Sequence, residues 1–301
     1  MMISVIICTY NRDKYIYNVL KSIAEGTLAQ KEYEIVLVDN NCTDRTHEEC
    51  DRFVADFPLV QFRYFIETNQ GLSYARNRGI LESKGDILVY VDDDALVNPE
   101  YLQTYASFFD SHPDIDAAGG PIIPQYETEE PKWFSLYTKT LVTGFMSLGD
   151  VEREFPGERY PGGGNAGYRK RVFDKIGLFN VELGRKGDSL MCAEEKDLFD
   201  KMKSINVRFY YLPTAILYHI IPEKKLTMDY FDRLTLSIGR SERQRTLTIS
   251  NRKFLVRICK EVVKWVGTIV LWLRFAFTLQ VAKGNKLIRF RYNVTKGLLN
   301  F

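Results

Sequence analysis

Three adjacent carboxylates, Asp92, Asp93 and Asp94, follow directly on the apolar run Ile87-Leu88-Val89-Tyr90-Val91. A continuous run of this kind suits a strand covered on both faces of a sheet. Burying even one bare carboxylate inside such a sheet costs several kcal/mol. The acids therefore belong at the strand's carboxyl end, the edge at which open α/β sheets bind ligands. Their charge calls for a cation there. Mg²⁺ is typically held by one or two carboxylates plus substrate phosphates, so a divalent metal, Mg²⁺ or Mn²⁺, carrying a phosphorylated ligand fits the pattern. A helix N-terminus near Pro99-Glu100-Tyr101 accounts for one of the three acids, hardly for all. A second acidic pair, Glu194-Glu195, opens a stretch of helical spacing through Leu198 and Met202. Acids in a first helical turn are ordinary dipole chemistry, so spacing alone leaves a catalytic and a structural reading evenly matched. His219, one of three histidines, follows Leu217-Tyr218 in an apolar run, where a lone imidazole is usually a core or strand-end group.

The elements that must carry these groups are legible. Strands are expected over 3–8, 34–38, 60–66 and 87–91, with helices between them, the third running from Gly71 through Leu81. This rhythm predicts an α/β fold with a Rossmann-like, mostly parallel central sheet flanked by helices. The strand ends carry Thr9 and Asn11, then Asp39, then Asn69, then the three aspartates, which outlines one cleft along one sheet edge. The turn Cys8-Thr9-Tyr10-Asn11-Arg12-Asp13 holds no G-x-G-x-x-G, and no Walker A lysine loop occurs in the chain. Phosphate neutralisation then falls to the metal. Residues 121–161, rich in Pro, Gly and aromatics, are expected to be irregular and to bind substrate. The cluster Gly162-Gly163-Gly164-Asn165 would let backbone approach a ligand closely. A short helix near 171–176, strands over 207–212 and 215–221, and a helix over 226–245 complete the body.

Charge is unevenly divided. Residues 252–301 hold eleven Lys or Arg and one acid, Glu261; from totals of 41 and 39, the rest carries 30 bases against 38 acids. Within that basic tail, residues 254–282 form one apolar, helical stretch interrupted by charges. Its longest uncharged run, 265–273, is too short for a bilayer core of roughly 30 Å. An amphipathic helix on an anionic membrane face is expected; packing on the protein's own core or on a second subunit is the alternative. The five scattered cysteines include no C-x-x-C pair, which points away from a zinc site or disulfide framework and toward a reducing compartment. The start of the chain reads as a strand rather than a signal peptide. A cytoplasmic protein, peripheral on the inner face of the membrane, is the expected location, and nothing in the pattern asks for nucleic acid.

Several segments together resemble the family 2 glycosyltransferases of GT-A fold. They are Ser4-Val5-Ile6-Ile7-Cys8-Thr9-Tyr10-Asn11-Arg12, Glu34-Ile35-Val36-Leu37-Val38-Asp39-Asn40, Asn69-Gln70-Gly71-Leu72-Ser73-Tyr74-Ala75-Arg76-Asn77, Val91-Asp92-Asp93-Asp94, Gly163-Gly164-Asn165, Ala193-Glu194-Glu195-Lys196-Asp197-Leu198 and Tyr218-His219. They cover about residues 3–245 in the family's order. The resemblance implies transfer of a sugar from a nucleotide-diphosphate donor to an acceptor hydroxyl, with inversion at the anomeric carbon. It implies that Asp39 contacts the nucleobase or ribose, that Thr9 and Asn11 line the nucleotide turn, and that Arg76 lies near the base or diphosphate. Asp94 matches the most direct metal ligand, Asp92 the residue facing sugar or ribose as well as the ion, and Asp93 the middle of the acidic motif. Gly163, Gly164 and Asn165 match a donor-sugar segment, and His219 a histidine beside the metal or diphosphate. The family's acidic pair is usually Glu-Asp with the second member as base, so Glu195 is the expected base; Glu in place of Asp leaves Glu194 open as the alternative.

The expected organisation is a GT-A catalytic domain over 1–225, divided into a nucleotide-sugar half (1–120) and an acceptor half (121–225), and a helical, basic, apolar region over 226–301. The expected activity is metal-dependent transfer to a glycan or lipid-linked acceptor in cell-surface polysaccharide synthesis. A catalytically inactive sugar-nucleotide-binding or scaffold protein of the same fold is the alternative. A nucleotidyltransferase would need a glycine-rich basic loop after the first strand, and that loop is missing from the sequence.

Overall fold

The computed structural model describes residues 2–187 and 189–301. The elements in order are β1 (Ile3–Thr9), α1 (Asp13–Ala24), β2 (Tyr33–Asp39), α2 (Thr46–Asp56), β3 (Gln61–Ile66), α3 (Leu72–Glu82), β4 (Ile87–Val91), β5 (Ala95–Val97) and α4 (Tyr101–Ser111). Then come β6 (Ala117–Gly119), β7 (Ile122–Tyr126), α5 (Leu136–Thr143), β8 (Arg153–Glu154), β9 (Asn165–Arg169), α6 (Arg171–Ile176), α7 (Glu194–Ser204), β10 (Phe209–Tyr211) and β11 (Leu217–Ile221). Three long helices finish the chain: α8 (Met228–Ile249), α9 (Asn251–Phe277) and α10 (Val281–Leu299). The chain divides into two compact units, Met1–Gln125 with Gly144–Val181 and Glu195–Ile220, and Tyr126–Thr143 with Glu182–Glu194 and Ile221–Phe301.

In the first unit, an eight-stranded sheet is found among the described residues, in the order β3-β2-β1-β4-β9-β6-β10-β8, beside a three-stranded sheet β5-β11-β7. Strands β3, β2, β1 and β4 are mutually parallel, as the strand–helix repeats predict. Alternate residues of each strand serve opposite layers. Val5, Ile7, Val89 and Val91 pack with α1 and α4, while Ile6, Leu88 and Tyr90 pack with α3, α6 and α7. Both faces are covered, which is why every residue of β4 is buried and apolar.

Strand β9 is the element the sequence did not announce. The segment Asn165-Ala166-Gly167-Tyr168-Arg169 has neither alternation nor β-branched residues, yet it pairs antiparallel with β4, Val91 opposite Asn165. Gly167 explains the fit: a Cβ there would lie 2.7 Å from the Tyr105 ring, so the strand needs a bare position where α4 crosses. Because β9 runs opposite to β4, the glycines that precede it arrive beside the aspartates that follow β4. Residues 121–161 also contain more order than expected, in β7, α5 and β8.

The second unit contains α8, α9 and α10. The apolar stretch 254–282, expected to be one helix, is two: α9 ends at Phe277 and α10 begins at Val281. The break is at Leu279, whose φ of 57° no helix admits. Gly239 of α8 and Gly297 of α10 face each other so closely that a Cβ on Gly239 would lie 2.1 Å from the Val294 carbonyl oxygen. Around this contact runs a buried ionic lattice. Arg257 donates to Glu242 at 2.8 Å and to Glu261 at 2.7 Å, and Arg291 donates to Glu261 at 2.9 Å.

Burial alone would raise the Glu261 carboxyl, but the hydrogen bonds and charges of Arg257 and Arg291 override it and hold it below its ordinary 4.5. A carboxylate held low in the folded state stabilises fully above its unfolded pKa, and that contribution is lost as pH falls through the folded value. The melting temperature is therefore expected to fall below about pH 4.5. Glu261→Gln, which leaves Arg291 without its carboxylate while Arg257 keeps Glu242, is expected to remove up to roughly 3–5 kcal/mol at neutral pH and to flatten that acid limb in thermal melts across pH.

Candidate active site

Asp92, Asp93 and Asp94 lie in the turn between β4 and β5, at the carboxyl edge of the parallel strands. The three are not equivalent. Asp93 accepts from Arg12 Nε at 3.2 Å and from the Tyr10 backbone N–H at 3.4 Å. Burial, only partly offset by Arg12 and reinforced by Asp94 and Asp92, pushes its carboxyl up to about 6. Asp94 is 5% exposed and meets His219, with Nε2 3.2 Å from its Oδ1. That contact follows from the small sheet, in which β11 pairs antiparallel with β5 and sets His219 opposite Ala95. Asp92 is raised by burial and by Asp94, with Arg76 and His219 pulling it back.

The other acid comes from far along the chain. Glu195, at the start of α7, accepts from Arg76 Nη2 at 2.8 Å and from the Gly163 backbone N–H at 3.2 Å. Its side chain is 32% exposed, whereas Glu194 is buried at 3%. Arg76 itself is 3% exposed on α3, with its guanidinium 5.3 Å from the Phe179 ring centroid. The structure thus brings Arg76 to the candidate base.

Glycine makes the assembly fit. A Cβ on Gly163 would sit 1.8 Å from Glu195 Oε1, and one on Gly164 would sit 2.1 Å from Asp92 Oδ2. Two neighbouring bare positions seat two carboxylates that are about a hundred residues apart in sequence. The structure sets this backbone close to the acids. Asn165 anchors this segment. Its Oδ1 accepts from Tyr101 and Tyr105 hydroxyls at 2.9 and 2.8 Å, and its Nδ2 donates to the Pro121 and Ala215 carbonyls at 2.8 and 2.9 Å. Those bonds use the full capacity of the amide, so the side chain serves the framework.

The nucleotide-turn residues are also built into a network. Asp39, 6% exposed, accepts from the Cys42 N–H at 2.7 Å and from the Tyr64 hydroxyl. A carboxylate has about four lone-pair sites, so each oxygen keeps one for a ligand. Asn11 adopts φ 54° and its Oδ1 accepts from the Thr43 N–H at 2.8 Å, while the Thr9 carbonyl accepts from the Asn40 N–H at 2.9 Å. Neither caps α1, whose first N–H, that of Asp13, is taken by Asp44 at 3.0 Å.

Arg12, Tyr64 and Asn40 are participants that the residue-by-residue reading passed over. Arg12 stands on the same sheet edge as the aspartates and was visible as a cation there. Asn40 holds the Asn-Gln-Gly segment, donating to the carbonyls of Glu67 and Asn69 at 2.9 and 2.8 Å and accepting from the Gly71 N–H at 2.7 Å. Nothing short of the tertiary structure joins it to residues thirty positions away.

Asp92, Asp94 and His219 suit a hard divalent cation, since carboxylate oxygens and an imidazole are donors that Mn²⁺ and Mg²⁺ accept. Among the described residues no three His, Cys, Asp or Glu side chains form a ready metal-holding group.

Residues 4–177 match the family model described as glycosyl transferase family 2. The chain belongs to that family. This family 2 member is 29% identical over 242 residues to the glucosyl-dolichyl phosphate glucuronosyltransferase of Haloferax volcanii, covering 76% of this chain and 72% of that one. It is 34% identical over 113 residues to the poly(ribitol-phosphate) β-N-acetylglucosaminyltransferase TarS of Staphylococcus aureus, covering 37% of this chain and 19% of TarS. Among solved structures, the mannosyltransferase PcManGT of Pyrobaculum calidifontis, in complex with GDP-Man and Mn²⁺, aligns with TM-score 0.64 at 15% identity, over 99% of this chain and 87% of that one. S. aureus TarS 1-349 with UDP-GlcNAc aligns with TM-score 0.54 at 20% identity, over 98% and 91%. These likenesses support the GT-A fold with its central sheet and flanking helices.

Gly163→Ala and Gly164→Ala are expected to move carboxylates rather than unfold the sheet, because each new methyl meets the far end of a side chain. A displacement of about 1 Å in a reacting group lowers turnover on the order of a hundredfold. The expected result is a large loss of kcat with an unchanged melting temperature, read by steady-state kinetics and thermal shift.

Proposed function

We propose that this glycosyltransferase moves a sugar from a nucleotide-diphosphate donor, with inversion, to a hydroxyl of a glycan or lipid-linked acceptor in cell-surface polysaccharide synthesis, using a divalent metal. The observation that carries the reading is the seating of Asp92 and Glu195 on adjacent glycines at one sheet edge. One acid belongs to the cluster suited to the donor's diphosphate; the other is free of that cluster and half-exposed, as a base facing an acceptor must be. Asp94, Asp92 and His219 would hold the ion, Mn²⁺ or Mg²⁺. When bound, it supplies Lewis-acid stabilisation of the leaving diphosphate. Asp93 is committed to Arg12, which leaves Asp92 and Asp94 as the metal-facing pair.

The rest falls to the chain's own groups. Asp39, at the end of β2 beside the β1 end that carries Thr9 and Asn11, binds the nucleoside. Glu195 Oε2 receives the acceptor's hydroxyl proton as the oxygen attacks the anomeric carbon. Arg76 and the Gly163 N–H hold that carboxylate in place. Glu194, buried beside it in sequence, has a framework role. The Haloferax volcanii relative is named for a lipid-linked dolichyl phosphate substrate, which supports a lipid-linked acceptor. The GDP-Man and Mn²⁺ of PcManGT and the UDP-GlcNAc of TarS support the donor class and the metal. No helix among the described residues is long and apolar enough to cross a membrane. Association with the inner membrane face therefore rests on the basic, apolar C-terminal helices.

With a matching sugar nucleotide and Mn²⁺, the wild-type chain is expected to release nucleoside diphosphate, and Asp94→Ala is expected to release none. Glu195→Gln is expected to bind donor as wild type does in calorimetry while losing at least about a hundredfold in transfer to acceptor. Donor binding without any nucleoside diphosphate release by the wild type would instead identify an inactive sugar-nucleotide-binding protein.

A further inference from the structure

Helix α9 is built inside out. The residues it buries are polar: Arg257 and Thr268 are each 6% exposed and Glu261 is 3% exposed. All three are committed within the second unit, Arg257 to Glu242 and Glu261, Glu261 to Arg291, and the Thr268 hydroxyl to Arg291 Nε at 3.3 Å. The apolar residues point the other way. Val262, Val266, Ile269, Val270, Leu273 and Phe277 are between 43% and 87% exposed. At 3.6 residues per turn these six fall within about 100° of the helix surface, roughly opposite the buried ionic side, and extend about 22 Å along the axis. A helix at a water-facing surface has the reverse order.

The charges beside the stripe identify what covers it. Exposed Val263 and Val256 widen the stripe on one side, and exposed Lys253, Lys260 and Lys264 follow beyond them on that flank. Residues 252–301 contain a single acid, Glu261, and it is consumed inside the unit. A second copy docking on this face would oppose lysine to lysine, with no carboxylate on α9 or α10 free of the lattice to answer them. A layer of anionic headgroups over acyl chains answers both the lysines and the stripe. Because no described helix can cross a bilayer, the stripe must lie along the surface.

We propose that α9 lies in the plane of an anionic lipid surface, with the Val262 to Phe277 stripe among the acyl chains and Lys253, Lys260 and Lys264 at the headgroup phosphates. The Glu242, Arg257, Glu261 and Arg291 lattice fixes the roll of the helix, since turning the stripe inward would expel two ion-paired residues. This inference rests on the membrane-facing part of the functional reading and is independent of the catalytic assignments.

The test is co-sedimentation of the full chain with vesicles of phosphatidylcholine alone or mixed with phosphatidylglycerol, with donor hydrolysis and melting temperature measured on every variant. Wild type is expected to pellet with the mixed vesicles only. The double variant Val266→Asp, Val270→Asp is expected to lose at least tenfold in vesicle affinity, with hydrolysis and melting temperature unchanged. Lys260→Gln with Lys264→Gln is expected to weaken binding and flatten its salt dependence. If wild type pellets and the aspartate variant pellets equally well, the assignment to this stripe is overturned while membrane association stands. A wild type that pellets with neither vesicle overturns both, as does light scattering that shows a wild-type dimer, split by the same variant, in place of vesicle binding.

Discussion

Like charge crowded at one sheet edge is the constraint on which the catalytic unit depends. Asp92, Asp93, Asp94 and Glu195 would repel one another in any arrangement, and burial deepens the penalty. The fold answers each differently. Arg12 takes Asp93, Arg76 takes Glu195, and His219 stands against Asp94. Asp92 is raised by burial and by the neighbouring Asp94, against the pull of Arg76 and His219. In the proposed reading, an added cation relieves the repulsion that these pairings leave in place.

The neighbouring glycines turn that electrostatic problem into a geometric one. Gly163 and Gly164 are bare where Glu195 and Asp92 approach. They remove Cβ atoms so that carboxylates from β4 and α7 can close on the same backbone segment. The antiparallel direction of β9 delivers them there, and Asn165, held between two tyrosines and two carbonyls, fixes the segment's height.

The second unit departs from the first in what α9 buries. The first is an ordinary sheet core of Val, Ile, Leu and aromatic side chains on both faces. In α9, Arg257 and Glu261 are buried and aliphatic side chains face outward, whereas α8 and α10 bury Phe231, Leu234, Leu287, Val294 and Leu298. A buried ionic lattice is seldom the most stable filling for an interior. What it secures is orientation: each guanidinium has one partner geometry, so α9 cannot rotate without breaking paired charges.

By itself the sequence determined the parallel half of the sheet, because β1, β2 and β4 are buried on both sides and therefore written as continuous apolar runs ending in polar residues. It also determined the place of the three aspartates, since no other end of β4 can hold them, and the basic character of the tail. Only the tertiary structure decided which acids are neighbours. Strand β9 carries no strand signal, so the meeting of Gly164 with Asp92 and of Gly163 with Glu195 was invisible. Arg76, read as a donor-facing cation, was joined to Glu195 by the packing of α3 against α7's start, a contact between residues 119 positions apart. The apolar tail likewise read as a helix with charges in it; which side those charges face was settled by Glu242 and Arg291, on two other helices. Periodicity reports the composition of a face, and only packing reports where that face points.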